Sequence, residues 1–220
     1  MDALLPPLLL SLRITVLATL VAVIIAVPLA YLHTRRRYFA MSLVEGLIVL
    51  PMVLPPTVVG YLIIMALGAR GWPGRWLFAR FDYSILFRIE GAVIAAALVA
   101  IPLIYLPTRA AFASVEREME DIARINGAGT LQMFWHVSLP MAARGLASGL
   151  MLGFARALGE FGATAMVFGM QSSRPTLPIS IYLDYDQGQM SHAWPAVILL
   201  IVISTTIALF YNRSTLSRQR

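Results

Sequence analysis

The sequence predicts an all-α, polytopic membrane helical bundle of about five transmembrane helices. Three observations carry that reading. Of the 220 residues, 59% are hydrophobic and 13% charged, roughly half the charged share of a soluble domain. A chain of this size cannot keep so much apolar surface away from water, and its composition is the opposite of a disordered one. Five apolar runs each come close to the ~20 residues a helix needs to cross the hydrocarbon. Every run is continuous rather than alternating, which favours helices over barrel strands.

The first run, 8–32, holds one charge, Arg13, near its start. It does not read as a cleaved signal, which carries its positive charge ahead of a short apolar stretch. Here Met1-Asp2 opens the chain and Arg35-Arg36-Arg37 follows a long one. The excess of cytoplasmic Arg typical of membrane proteins then puts the N-terminus outside and the segments around 33–42, 109–144 and 212–220 in the cytoplasm. Those segments hold ten Arg, against five (Arg70, Arg75, Arg80, Arg88 and Arg174) on the outer side.

The second run, 43–67, carries Glu45 near its start and is interrupted by Pro51, Pro55 and Pro56. Each proline removes a backbone donor and frees a carbonyl. Broken helices of this kind often line a transporter's substrate route, and a kink packed against neighbours is the alternative. The following outer segment, 68–90, is rich in rings: Trp72, Trp76, Phe78, Phe81, Tyr83 and Phe87. Rings together with Arg suit an interfacial helix or a re-entrant piece.

The third run, 91–108, is uncharged. The fourth, 144–170, carries Arg156 and Glu160 in its interior. Four residues apart on one helix face, they can pair. A charge at the bilayer centre costs about 2.5–3.5 kcal/mol on insertion scales, so the pair faces protein or water. It either gates an anion route or fixes helix register. Gly145, Gly149 and Gly153 recur every four residues and permit close helix approach, within one subunit or between two. The fifth run, 193–211, is uncharged. The runs fill half or more of the chain, so residues 1–220 form one domain.

The longest inner connection is the segment 112–140. Phe112, Val115, Met119 and Ile122 recur at spacings of three and four, which predicts an amphipathic helix continuing the third span. Gly127-Ala128-Gly129 permits a sharp turn. A second short helix follows over 130–137, and Pro140 sits where the backbone turns to re-enter the membrane.

Asp121-Ile122-Ala123, then Gly127, then Val137-Ser138-Leu139-Pro140 resembles the coupling-loop signature of ABC importer permeases. That pattern is Glu-Ala-Ala, three residues, Gly, nine residues, then Ile, any residue, Leu and Pro. Every spacing matches; Asp121, Ile122 and Val137 depart in identity. The stretch from Leu50-Pro51 through Pro55-Pro56-Thr57 to Gly60-Tyr61 is similar to molybdate permeases. So are Ala157-Leu158-Gly159-Glu160-Phe161-Gly162-Ala163-Thr164 and Thr176-Leu177-Pro178. Sulfate and tungstate permeases are close relatives.

The resemblance implies a type I ABC importer permease fold that moves molybdate into the cytoplasm by alternating access, with tungstate or sulfate as alternatives. It implies ATPase coupling through Glu120, Asp121, Ile122, Ala123, Gly127, Ala128, Leu139 and Pro140. It places Pro55, Pro56 and Thr57 near the translocation pathway, and the intramembrane charges Arg156 and Glu160, with Thr164, are expected to join them as pathway or gate residues. It implies a homodimer in the inner membrane, two ATP-binding cassette subunits that carry ATP and Mg, and an external oxyanion-binding protein.

The exclusions agree. No G-x-x-x-x-G-K-[ST] loop is present for ATP, and no H-E-x-x-H helix for zinc. His33, His136 and His192 are far apart, and cysteine is absent. Asp184-Tyr185-Asp186-Gln187-Gly188 resembles a calcium loop, but Pro195 stands where its bidentate Glu belongs. The chain is therefore expected to carry no catalytic residue, metal or cofactor of its own. Its Arg residues are scattered rather than striped, against nucleic-acid binding. The other readings are a non-transporting membrane assembly protein and an intramembrane enzyme.

Overall fold

The computed structural model describes residues 4–35, 39–170 and 175–216. Met1, Asp2, Arg36, Arg37, Arg174, Arg218 and Arg220, used above for orientation, lie outside the described residues. The described chain is helical, with no strand among these residues. In order it forms α1 (Leu5–Arg35), α2 (Phe39–Val53), α3 (Pro56–Leu67), α4 (Trp72–Phe81), α5 (Ile89–Ala113), α6 (Arg117–Ile125) and α7 (Thr130–Met133). A π turn (Phe134–Ser138) follows, then α8 (Leu139–Leu158), α9 (Gly162–Phe168), α10 (Leu177–Asp186) and α11 (Met190–Leu216).

Four stretches are long and apolar enough to cross a membrane: Leu5–Arg35, Ile89–Ala113, Thr130–Leu158 and Met190–Arg213. The bent pair α2–α3 supplies a fifth. The core is built on α1 and α5, which run parallel. Ala18, Ala22, Ala26 and Ala30 form a buried row on α1 against Ala92, Ala96 and Ala100 of α5. In a bilayer no hydrophobic force drives helices together, so small residues that permit close backbone approach supply the packing. α8 runs antiparallel to α5. A Cβ at Gly145 would fall 2.3 Å from the Ala111 Cβ, and one at Gly153 2.4 Å from Ile104 Cγ1. The glycine row thus serves packing inside the subunit.

Three sequence expectations need correction, while the break of the second span at its prolines holds. α2 and α3 meet at 117°. Pro55 holds φ −54°, ψ 136°, the extended conformation that a following proline imposes, and neither Pro55 nor Pro56 has an N–H to continue the ladder. The pair still bridges the bundle. Glu45 of α2 meets Arg109 near the C-terminal end of α5, while the end of α3 packs against Leu86, just ahead of α5.

The fourth span is likewise interrupted. α8 ends at Leu158, and Phe161, at φ −120°, ψ −57°, precedes α9. α9 then runs on against α3 and α5, its Val167 carbonyl accepting the Phe87 N–H at 2.8 Å.

The third span does not continue into the inner segment. It ends at Ala113, where Ser114 Oγ donates to the Ala111 carbonyl at 2.8 Å, a local bond that competes with the helix. Glu116 is extended and α6 starts afresh. Phe112 and Val115 are buried while Met119 and Ile122 are exposed, so the four do not share one face.

Nor does the backbone turn at Pro140. Residues 130–158 are one helix that widens to the π register just before the proline, where the Leu139 N–H bonds the Phe134 carbonyl. The shift absorbs the donor that Pro140 lacks. The ring-rich segment 68–90 does contain a helix, α4, with Trp72, Trp76, Phe78 and Phe81 exposed.

Candidate functional site

Two sites emerge, one at the helix breaks and one at the Arg35 end of the bundle. The breaks of the second and fourth spans touch. A Cβ on Gly162 would lie 2.9 Å from Pro56 Cβ and 3.5 Å from the Thr57 nitrogen. One on Gly60 would meet Met166 Cβ at 2.7 Å. From this junction α3 and α9 run side by side toward α4.

Glu160 anchors the junction. It is 3% exposed, and its Oε1 accepts the Ala163 N–H at 2.8 Å, capping α9. Its Oε2 lies 2.6 Å from Arg156 Nη1 but takes no aligned hydrogen bond. The expected pair therefore forms, although Glu160 stands just past the end of α8. Glu160 also borders a small cavity with Ser11, Thr15, Thr164 and Thr176. Ser11 Oγ there accepts the Leu177 N–H at 2.7 Å, and Thr176 Oγ1 is buried without a partner.

The expected pathway residues thus occupy two settings. Glu160 and Thr164 are buried beside α1 and α10. Pro55 and Thr57 are exposed on the outside of the single chain, with Pro56 half-buried between them. Arg156 is half-buried and is the cation at the break.

At the Arg35 end, α6 closes in a Schellman turn. The Ala128 N–H bonds the Ala123 carbonyl at 3.0 Å, and the Gly127 N–H bonds Arg124 at 3.0 Å. Gly127 sits at φ 84°, which only glycine adopts freely. The spacing from Ala123 to Gly127-Ala128 is thus the spacing of this helix stop. Gln132 Oε1 accepts the Gly129 N–H at 3.1 Å and starts α7.

Ile125 (85% exposed), Leu131, Trp135, Met119 and Ile122 then present an apolar face outward, with Asp121 beside it. Ala123, Ala128 and Leu139 are half-buried and Pro140 is exposed. Glu120 differs from all of these: it is 4% exposed and points into the bundle, where it pairs with Arg35 of α1 and accepts from Ser138 Oγ at 2.5 Å.

A second charged node lies nearby. Glu45 pairs with Arg109, its Oε2 lies 3.6 Å from His33 Nε2, and His33 Nδ1 bonds the Tyr105 hydroxyl at 2.8 Å. Sequence reasoning missed Arg35, Ser138, His33, Tyr105 and Arg109 as partners. The one available signal was Glu45, an acid at the mouth of an apolar span that needs a counter-charge.

Known proteins match this architecture. The family profile described as "binding-protein-dependent transport system inner membrane component" matches residues 18–215. The chain is 36% identical over 208 residues to the putative molybdenum transport system permease protein YvgM of Bacillus subtilis, covering 94% of this chain and 92% of that protein. It is 38% identical over 174 residues to the molybdenum transport system permease protein ModB of Haemophilus influenzae, covering 79% and 76%. A chain of the solved bacterial alginate ABC transporter, in complex with an alginate pentasaccharide-bound periplasmic protein, superposes with a TM-score of 0.75 at 18% identity. That match covers 95% of this chain and 77% of the other, and it bears on fold alone. The profile spans most of the sequence and both permeases align over most of their length, so the chain belongs to the binding-protein-dependent transport system inner membrane components: it is a multi-pass permease of an ABC transporter, not its ATPase.

Proposed function

We propose that this permease carries molybdate into the cytoplasm. The observation that carries the substrate is the similarity to permeases named for molybdenum, one of them along almost the full chain. The working unit is a homodimer with its N-termini outside and C-termini in the cytoplasm. It is served by two ATPase subunits, which hold ATP and Mg, and by an external binding protein that selects the oxyanion. The apolar face of α6 and α7 supports docking to the ATPase, because a rigid helix passes on rigid-body motion that a loose loop absorbs.

The route follows the junction of the two breaks. An oxyanion passing it meets Arg156, and the pairing with Glu160 keeps that attraction weak enough for release. A lone buried Arg holds an anion too firmly for fast passage. Pro55 and Thr57, exposed on the single chain, face the second copy across the route.

Uptake of molybdate, tungstate and sulfate by the reconstituted complex tests the substrate. Molybdate is expected to be taken up in preference to sulfate. Preferred uptake of sulfate reassigns the chain to the sulfate permeases, and no ATP-dependent uptake of any oxyanion defeats the reading.

A further inference from the structure

One carboxylate fastens the docking segment to the membrane body. On α6 every residue but Glu120 and Ala123 is exposed, Ala123 is half-buried, and Glu120 alone is buried. A docking helix that needed only to rest against the bundle would put an apolar residue there, because a buried carboxylate costs stability unless it is paired and hydrogen-bonded. Glu120 is both. Its Oε1 accepts from the Arg35 guanidinium in the last turn of α1 and from Ser138 Oγ in the π turn.

The other extended contacts of α6 are with the π turn and α7, which run on into α8 as the helix 130–158. The backbone between α5 and α6 is broken at Ser114–Glu116 and is a weak transmitter. The charged joint is thus the firm link from α6 to α1, and through Ser138 it also braces α6 on the helix 130–158. The same turn of α1 carries His33, which reaches Glu45 of α2, the helix that ends at the Pro55–Pro56 break.

We propose that Glu120 is a positioning residue of the transport cycle. It touches neither ATPase nor substrate. It locks α6 to α1 through Arg35 and to the helix 130–158 through Ser138, so that movement of the docked segment enters both helices instead of dissipating at the α5–α6 break. This inference rests on the docking reading of α6 given above.

The test uses the full complex in liposomes, with ATP hydrolysis and oxyanion uptake measured together. In Glu120→Gln the ATPase is expected to co-purify as with wild type and ATP hydrolysis to continue. Oxyanion moved per ATP is expected to fall about fivefold or more, the lower end of ordinary coupling energies. Ser138→Ala removes one bond and leaves the ion pair, so it lowers the same ratio by less; it also serves if the Gln variant does not fold. A lesion that only lowers stability reduces the amount of complex, not the transport per ATP.

An unchanged ratio in both variants overturns the proposal. So does loss of ATPase recruitment in step with transport, which makes Glu120 a docking contact. A wild-type chain that recruits no ATPase removes the docking reading itself, whereas intact recruitment with an unchanged ratio removes this proposal alone.

Discussion

The chain places buried or half-buried acids in two regions and pairs them in opposite ways. At the Arg35 end the pairs join elements remote in sequence: Glu120 and Arg35 are 85 residues apart, Glu45 and Arg109 64 apart. At the helix break Glu160 turns to its own neighbourhood, the Arg156 guanidinium four residues back and the Ala163 N–H three residues on. A local pair travels with its own segment and ties it to nothing else. A long-range pair ties two elements into one body. The Arg35 end is therefore built to move as a unit. At the break, contact between the spans is apolar, through Pro56, Gly162, Gly60 and Met166, with no charged pair joining them among the described residues.

The largest expected effect strikes the local pair. Glu160→Ala leaves the half-buried Arg156 without a counter-charge and the α9 N-terminus without its cap; because Arg156 keeps some water, the loss falls at or below the lower end of the ~3–5 kcal/mol typical of breaking a fully buried pair. Glu160→Gln keeps an oxygen for the Ala163 N–H and should recover part of that. Thermal unfolding of the purified permease checks both. Equal stabilities for Ala and Gln would show that the cap contributes nothing and that the charge alone matters.

The next effect strikes the docking segment. Gly127→Pro demands φ near −65° where the backbone holds 84°, and it deletes the N–H that bonds Arg124. The cost falls on the α6–α7 turn, which stands apart from the α1–α5 core. The helical content of the spanning region should therefore survive while ATPase co-purification is lost. Circular dichroism and a pull-down separate the two. Loss of both would mean that the docking segment is needed to fold the bundle.

The same contrast explains what the sequence made legible. Arg156 and Glu160 could be paired from their spacing alone because helix geometry brings positions four apart together. The helix stop at Gly127 was readable for a similar reason: a left-handed residue has a local signature. Glu120 read as an ATPase-coupling residue beside Asp121, because nothing within ten residues says that Arg35 stands opposite. The α2–α3 bend was half legible. The prolines announced a break, but its 117° is set by what α3 packs on, namely α9 and Leu86. The third span was drawn to run straight on into α6 because Phe112, Val115, Met119 and Ile122 keep helical spacing across a break that Ser114 makes.

The smallest effect sharpens what the docking face is for. Ile122 stands where the family pattern has Ala, and it is 49% exposed. It contributes little inside the chain, so Ile122→Ala should change permease stability by no more than about 0.5 kcal/mol. Its remaining apolar surface is available to a partner. Covering it there is worth about 1 kcal/mol, or roughly a fivefold tighter complex, at the usual value for buried apolar area. Titration of the ATPase against wild type and Ile122→Ala permease in nanodiscs should then show about fivefold weaker binding for the variant. Tighter binding of the variant would mean that the ATPase groove is shaped for Ala and tolerates Ile under strain. In that case the outward apolar face owes its affinity to Ile125, Leu131 and Trp135, and position 122 limits how closely α6 can seat.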